Sequence, residues 1–285
     1  MDINECDPNP CINGTCDDLI ADFKCNCPLN YTGKTCETKI TSCKPNNPCF
    51  NNGTCKLQPQ YFSYTCECAS GFAGSHCVNI TTVGFSGSSF MKIQLNRPPF
   101  ELSFQFRTTL SNGLLAADSR NNFLVFLDKG NVTVVFYKGV AKLSAGQTAN
   151  LNNGLWHTVH INISGVSMSI TVDNSSCGQH CEASSSLHQQ VNITDLHLGG
   201  SPLTPSYDGS ALYNFTGCIQ DVILDRHTII PTDTKVLLVN TTTGCPRQEV
   251  CASNPCAHGK CVDEWIKYRC ECARRWIGPQ CNSSE

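Results

Sequence analysis

The residues in this chain best equipped for chemistry are its cysteines, 22 among 285 residues. They fall into three sextets and a quartet. The sextets are Cys6, Cys11, Cys16, Cys25, Cys27 and Cys36; Cys43, Cys49, Cys55, Cys66, Cys68 and Cys77; and Cys251, Cys256, Cys261, Cys270, Cys272 and Cys281. Each repeats one rhythm, which marks an internal repeat: three cysteines a few residues apart, a gap of about ten, a C-x-C pair, then a last cysteine. The quartet is Cys177, Cys181, Cys218 and Cys245. Thiols so spaced could ligate metal or form disulfides. Structural zinc prefers paired C-x2-C knuckles with partner histidines, which the sextets lack. Even counts in every block point instead to disulfides and an oxidising compartment. Six cysteines allow about fifteen pairings, and the two members of a C-x-C pair are too close to bridge each other without severe strain.

Catalytic chemistry finds little support. His157 and His160, in Trp156-His157-Thr158-Val159-His160, sit three apart on a strand and so point to opposite faces. His180 lies inside Cys177-Gly178-Gln179-His180-Cys181, where a disulfide across the bend accounts for the cysteines better than zinc does. No G-x-S-x-G elbow occurs and no carboxylate pair stands out. The chain reads as a non-enzyme.

The elements that carry these residues are of two kinds. A block of about 36 residues is too small to be held by an apolar core and needs covalent staples. Residues from about 80 to 247, by contrast, can build a real core. Period-two alternation runs through Leu102, Phe104, Phe106; Val159, Ile161, Ile163; and Met168, Ile170, Val172, as in strands with one buried face. Turn signals separate them at Ser111-Asn112-Gly113, Lys129-Gly130-Asn131, Ser164-Gly165 and Asp173-Asn174. No helical stripe persists, so an all-β sandwich is expected.

The sextets resemble EGF-like modules. The resemblance rests on Cys11-Ile12-Asn13-Gly14-Thr15-Cys16, on Cys49-Phe50-Asn51-Asn52-Gly53-Thr54-Cys55, and on the closing Tyr31-Thr32-Gly33, Phe72-Ala73-Gly74 and Trp276-Ile277-Gly278. It implies pairing first to third, second to fourth and fifth to sixth within each sextet. The middle block resembles a laminin G domain. There the carrying residues are Phe104-Gln105-Phe106-Arg107-Thr108 with Gly113-Leu114-Leu115, Gly154-Leu155-Trp156-His157-Thr158-Val159, Leu196-His197-Leu198-Gly199-Gly200 and Phe215-Thr216-Gly217-Cys218-Ile219-Gln220-Asp221-Val222. This second resemblance implies a jelly-roll β-sandwich and a Cys218–Cys245 bond, which leaves Cys177 for Cys181. The expected fold is mostly β: EGF-like modules over 2–37, 39–78 and 248–282 flanking a laminin G-like sandwich over 80–247. That alternation looks most like the Crumbs and eyes-shut group.

Calcium is the cofactor the resemblance implies. Asp2-Ile3-Asn4-Glu5-Cys6 together with Cys16-Asp17-Asp18-Leu19-Ile20-Ala21-Asp22-Phe23 resembles the calcium-binding EGF pattern. The pattern implies side-chain ligands from Asp2, Glu5 and Asp18, and backbone carbonyls from Ile3, Leu19 and Asp22. A hard cation wants several oxygens, and carboxylates offset its charge. The second module has Thr41-Ser42 and Lys56-Leu57 at those positions and should not bind calcium. In the third, Asp263 and Tyr268 fit, but Gln248-Glu249-Val250 supplies no leading carboxylates in register. A laminin G calcium site stays unassigned, since Asn122 stands near its first position where an Asp is wanted.

Eleven N-x-S/T sequons occur, at Asn13, Asn30, Asn52, Asn79, Asn131, Asn162, Asn174, Asn192, Asn214, Asn240 and Asn282. Asn162 and Asn192 alternate with apolar neighbours and should face solvent; Asn131 and Asn174 fall in expected turns. Thr54 resembles an O-fucose acceptor and Ser253 an O-glucose acceptor. Asp18 and Asp263 match a β-hydroxylation pattern. Lys267, Arg269, Arg274 and Arg275, with Trp265 and Trp276, form a local basic-aromatic cluster, expected to be a solvated hairpin.

Formal charge is −3 with no basic run, which disfavours nucleic acid. No apolar stretch approaches the length of a membrane span, and no signal peptide precedes Asp2. The expectation is a fragment of a larger extracellular protein, either an apical plasma-membrane ectodomain or secreted matrix. Its partners would be protein ectodomains, homophilic or heterophilic, or glycans.

Overall fold

The computed structural model describes residues 4–28, 31–40, 43, 47–58, 63–95, 101–136, 141–145, 150–164, 167–173, 182–186 and 193–284. The named elements are all strands. The chain divides into two compact units, residues 1–79 and 80–285.

The first unit holds the first two cysteine-rich modules. In each, a hairpin carries the third and fourth cysteines: Thr15–Leu19 pairs with Asp22–Asn26, and Thr54–Gln58 with Ser63–Glu67. The register sets Cys16 opposite Cys25 and Cys55 opposite Cys66. None of these four bonds its neighbour. Cys6 takes Cys16 and Cys11 takes Cys25, while Cys43 takes Cys55 and Cys49 takes Cys66. The hairpin is thereby stapled twice to the segment before it, and Cys27–Cys36 and Cys68–Cys77 close the last loop of each module.

Cys36 and Cys77 have no exposed surface and act as the miniature cores. Close packing at the glycine ahead of each third cysteine leaves no room for a side chain. A Cβ on Gly14 would lie 2.3 Å from the Asn26 carbonyl oxygen, and one on Gly53 would lie 2.8 Å from Cys77 Sγ.

The second unit contains a two-sheet sandwich and the third module. One sheet runs, in spatial order, 141–145, 131–136, 123–128, 113–117, 195–198, 90–94, 236–239. The other runs 182–186, 167–172, 157–164, 101–107, 216–224, 83–86, 242–243, with 227–228 also paired to 216–224. Among the described residues the strand pairings within both sheets are antiparallel. Alternation in sequence becomes burial in space: Leu102 faces Ile161 and Phe104 faces Val159 across one pair of strands, and Ile161 faces Ile170 across the next. These side chains join one apolar core with Phe106, Phe123, Phe136 and Phe215.

The strand Gly113–Ala117 departs from alternation, being buried throughout. Its second face is covered, because Leu114 and Ala117 join Leu124, Phe126 and Val135 in a second apolar cluster against Tyr207 and Leu212. A strand covered on both faces reads as a continuous apolar run. A smaller departure occurs at Asn131, expected in a turn. It is the first residue of its strand, paired with Asp128 and half-buried. The turn itself is only Lys129-Gly130, both at positive φ, the two-residue loop that matches strand twist.

Candidate functional site

The expected calcium residues lie at the first hairpin. Asp18 belongs to the strand Thr15–Leu19, and its Oδ1 accepts the Glu5 backbone N–H at 2.9 Å. This bond draws the segment before Cys6 onto the hairpin and sets Glu5 beside Asp18. Leu19 and Asp22 are the last register pair before the turn. The Asp22 side chain is otherwise engaged, accepting the Phe23 N–H at 2.9 Å and Lys34 Nζ at 3.4 Å. The Phe23 amide, then Lys34, hold that carboxyl below its ordinary value. Asp2 and Ile3 lie outside the described residues. Among the described residues no group of three or more His, Cys, Asp or Glu side chains converges as a metal set. Glu5 and Asp18 carry carboxylate oxygens of the kind a hard cation takes, with Asp18 Oδ1 already accepting the Glu5 N–H. The second module has Leu57, 57% exposed, two residues after its third cysteine, and Lys56 beside it pairs with Glu67 at 3.4 Å.

The third module repeats the architecture, with Gly259–Asp263 paired to Tyr268–Cys272 and bonds Cys251–Cys261, Cys256–Cys270 and Cys272–Cys281. Asp263 meets a guanidinium there. Its Oδ2 accepts Arg247 Nη2, while Oδ1 accepts the Trp265 N–H at 2.8 Å and lies 3.3 Å from Thr109 Oγ1 of the sandwich. The expected basic-aromatic cluster is therefore split. Trp265 is 4% exposed and packed inward. Arg269 is neutralised by Glu264 at 3.1 Å and Glu271 at 3.2 Å, and Lys267 lies 3.7 Å from Glu264. Trp276 stacks on His258.

Within the sandwich Cys218 bonds Cys245; Cys177, Cys181 and His180 lie outside the described residues. His157 is buried, and both ring nitrogens have partners: Nδ1 with Asp173 Oδ2 at 2.7 Å and Nε2 with Asn153 Oδ1 at 2.9 Å. It is a structural histidine. A second buried cluster was not legible in sequence. Asp118, Asp195 and His197 are each under a tenth exposed. Asp118 Oδ1 accepts the Asn122 and Phe123 amides at 2.7 and 2.8 Å, and Asp195 pairs with Lys92 at 3.2 Å. Asp118 is thus spent as a turn acceptor, and Asn122 contributes only its backbone N–H to that turn.

The modification candidates differ in access. Asn52, Asn162, Asn240, Asn282, Thr54, Ser253 and Asp18 are exposed. Asn13, Asn79, Asn131, Asn214 and Asp263 are half-buried. Asn30, Asn174 and Asn192 lie outside the described residues.

The chain matches the EGF-like domain family over residues 6–35, 43–76 and 251–280, and the Laminin G domain family over 106–227. It is 29% identical to Protein crumbs homolog 1 of Mus musculus, over 98% of this chain and 22% of that protein. It is 34% identical to Protein crumbs homolog 2 of Homo sapiens, over 77% of this chain and 17% of that protein. With the human Cadherin EGF LAG seven-pass G-type receptor 3 it shares 28% identity, over 88% of this chain and 8% of the receptor. The chain thus spans less than a quarter of the length of these relatives. It belongs to the modular extracellular proteins that combine EGF-like and laminin G domains, and Crumbs homologs 1 and 2 are among its relatives.

Proposed function

We propose that this chain is an ectodomain segment of a Crumbs-like cell-surface protein that acts by non-catalytic recognition, supporting cell-cell contact and apical epithelial polarity. The observation that carries the reading is similarity to Protein crumbs homolog 1 along 98% of the chain, so that the whole row of modules corresponds and not one domain alone. The sandwich serves as the docking body for protein ectodomains, with homophilic contact first. The EGF-like modules set spacing, and calcium bound by Asp2, Glu5 and Asp18 with the carbonyls of Ile3, Leu19 and Asp22 stiffens the first of them. N-glycans on the exposed sequons and O-glycans on Thr54 and Ser253 restrict which faces a partner can reach.

Clustering of beads coated with the glycosylated chain, in calcium and again in chelator, tests this. Clustering in calcium alone supports homophilic adhesion. No clustering in either buffer sinks the homophilic form and leaves a heterophilic ectodomain partner or a secreted matrix role with the sandwich binding glycans or glycoproteins, to be sought on a matrix-glycan array.

A further inference from the structure

Matched cysteine by cysteine, the first and third modules differ at one telling position. Four residues before the first cysteine stands Asp2 in one and Arg247 in the other; two residues after the third cysteine both carry a carboxylate, Asp18 and Asp263. In the third module these two positions meet. Arg247 Nη2 donates to Asp263, with the two side chains only 10% and 20% exposed. Glu249, 3.8 Å from the same nitrogen, is 68% exposed and contributes little.

The pair also holds the module against the sandwich. The Arg247 guanidinium lies 4.6 Å from the centroid of the Trp265 ring, and that of Arg107, on the sandwich strand Glu101–Arg107, lies 5.9 Å from it. Arg247 Nε is buried without a hydrogen-bond partner; the π-face of the indole is its electrostatic compensation. Arg107 Nε donates to the Gly154 carbonyl, and Gly154 is the residue against which Arg247 packs. A Cβ there would stand 2.9 Å from Arg247 Nη1, and its φ of 78° suits glycine. Thr109 adds a sandwich contact to Asp263 itself. Both oxygens of the Asp263 carboxylate are therefore engaged, Oδ2 by the Arg247 cation and Oδ1 by the Trp265 N–H and the Thr109 hydroxyl, so a metal would have to displace these partners.

We propose that Arg247 serves as a built-in cation at the joint between the sandwich and the third module, so that this joint is locked by the Arg247–Asp263 pair and the Arg107–Trp265–Arg247 stack and needs no calcium. The inference stands on the third module alone and is independent of calcium binding at the first. Breaking one partner of a largely buried pair leaves the other charge desolvated and uncompensated, so the joint should open on loss of Arg247.

Hydrogen exchange on the full chain, in excess calcium and in chelator, reads this out. In the unaltered protein the peptide carrying Asp263 and Trp265 should exchange equally slowly in both buffers. Arg247→Gln should speed its exchange about tenfold or more in both, with the strand Thr216–Leu224 unchanged as proof that the sandwich is intact. Arg247→Lys, which keeps the charge but loses the planar fork, should fall between. Loss of protection of the unaltered protein in chelator would overturn the proposal without any variant. So would wild-type protection in Arg247→Gln.

Discussion

The carboxylate of Asp173 closes around His157: Oδ2 lies 2.7 Å from the imidazole Nδ1, and Oδ1 accepts the neighbouring Thr158 N–H at 2.8 Å. Asp173 adopts φ 53° just past the strand Ser167–Val172, and His157 opens the strand His157–Ser164. One side chain thus ties the ends of two adjacent strands beneath Phe106, whose ring centroid is 5.8 Å from that of His157. Burial pushes the Asp173 pKa up, but the His157 hydrogen bond, the Thr158 amide and the His157 charge outweigh it, so the carboxyl lies below its ordinary value.

Asp173→Ala should therefore cost about 1–3 kcal/mol, because it strands a buried imidazole nitrogen and an amide. Asp173→Asn, which tolerates the left-handed backbone, should cost less. Denaturant midpoints of the two variants check the order. Because a lowered carboxylate pKa gives stability that is complete above the unfolded value, this contribution should fade as pH drops through the acid range below about 4.

A second pH effect has the opposite chemistry. His197 is 2% exposed, opposite Lys92 in the sheet register and edge-on to Phe90. Burial lowers its pKa from 6.5; Lys92 lowers it further, against the opposing pull of Asp195 and Asp118. The folded protein therefore disfavours protonation of this ring relative to the unfolded chain. Stability should be complete above pH 6.5 and decline below it, with a slope of at most about 1.4 kcal/mol per pH unit from this group. Denaturant unfolding from pH 5 to 7 should show that slope, and His197→Leu should flatten it.

Sequon occupancy should differ between the first two modules. Asn13 Nδ2, the atom a glycan would take, donates to the Cys36 carbonyl at 3.1 Å. In the second module the same contact, to the Cys77 carbonyl at 2.8 Å, is made by Asn51, and the sequon residue is the exposed Asn52 next to it. Peptide mapping after deglycosylation in heavy-oxygen water should find Asn52 occupied and Asn13 largely bare. Equal occupancy would contradict it.

Modules and sandwich were legible because their signals are local. Repeated cysteine spacing needs only counting, and strands such as Val159–Ile161–Ile163 announce a buried face by alternation. The doubly covered strand Gly113–Ala117 hid its period because a second apolar cluster buries its outer face. The joint of the third module was illegible for a different reason. By spacing, Asp263 groups with modification and metal patterns and Trp265 with basic neighbours, whereas their partners Arg247 and Arg107 come from the preceding segment and from a sandwich strand. The available signal was the arginine standing where the first module has Asp2. Likewise His197, Asp195 and Asp118 become a cluster only through strand pairing.

Four residues before the first cysteine the first module carries Asp2, proposed above as a calcium ligand with Asp18, and the third carries Arg247, whose guanidinium meets Asp263; the proposal is that this one residue selects the cation. A calorimetric calcium titration of the full chain tests it most directly. The account predicts an EGF-module calcium site that disappears in Asp18→Ala and is untouched in Asp263→Asn. An isotherm unchanged by Asp18→Ala, or one that loses a site in Asp263→Asn, would contradict it.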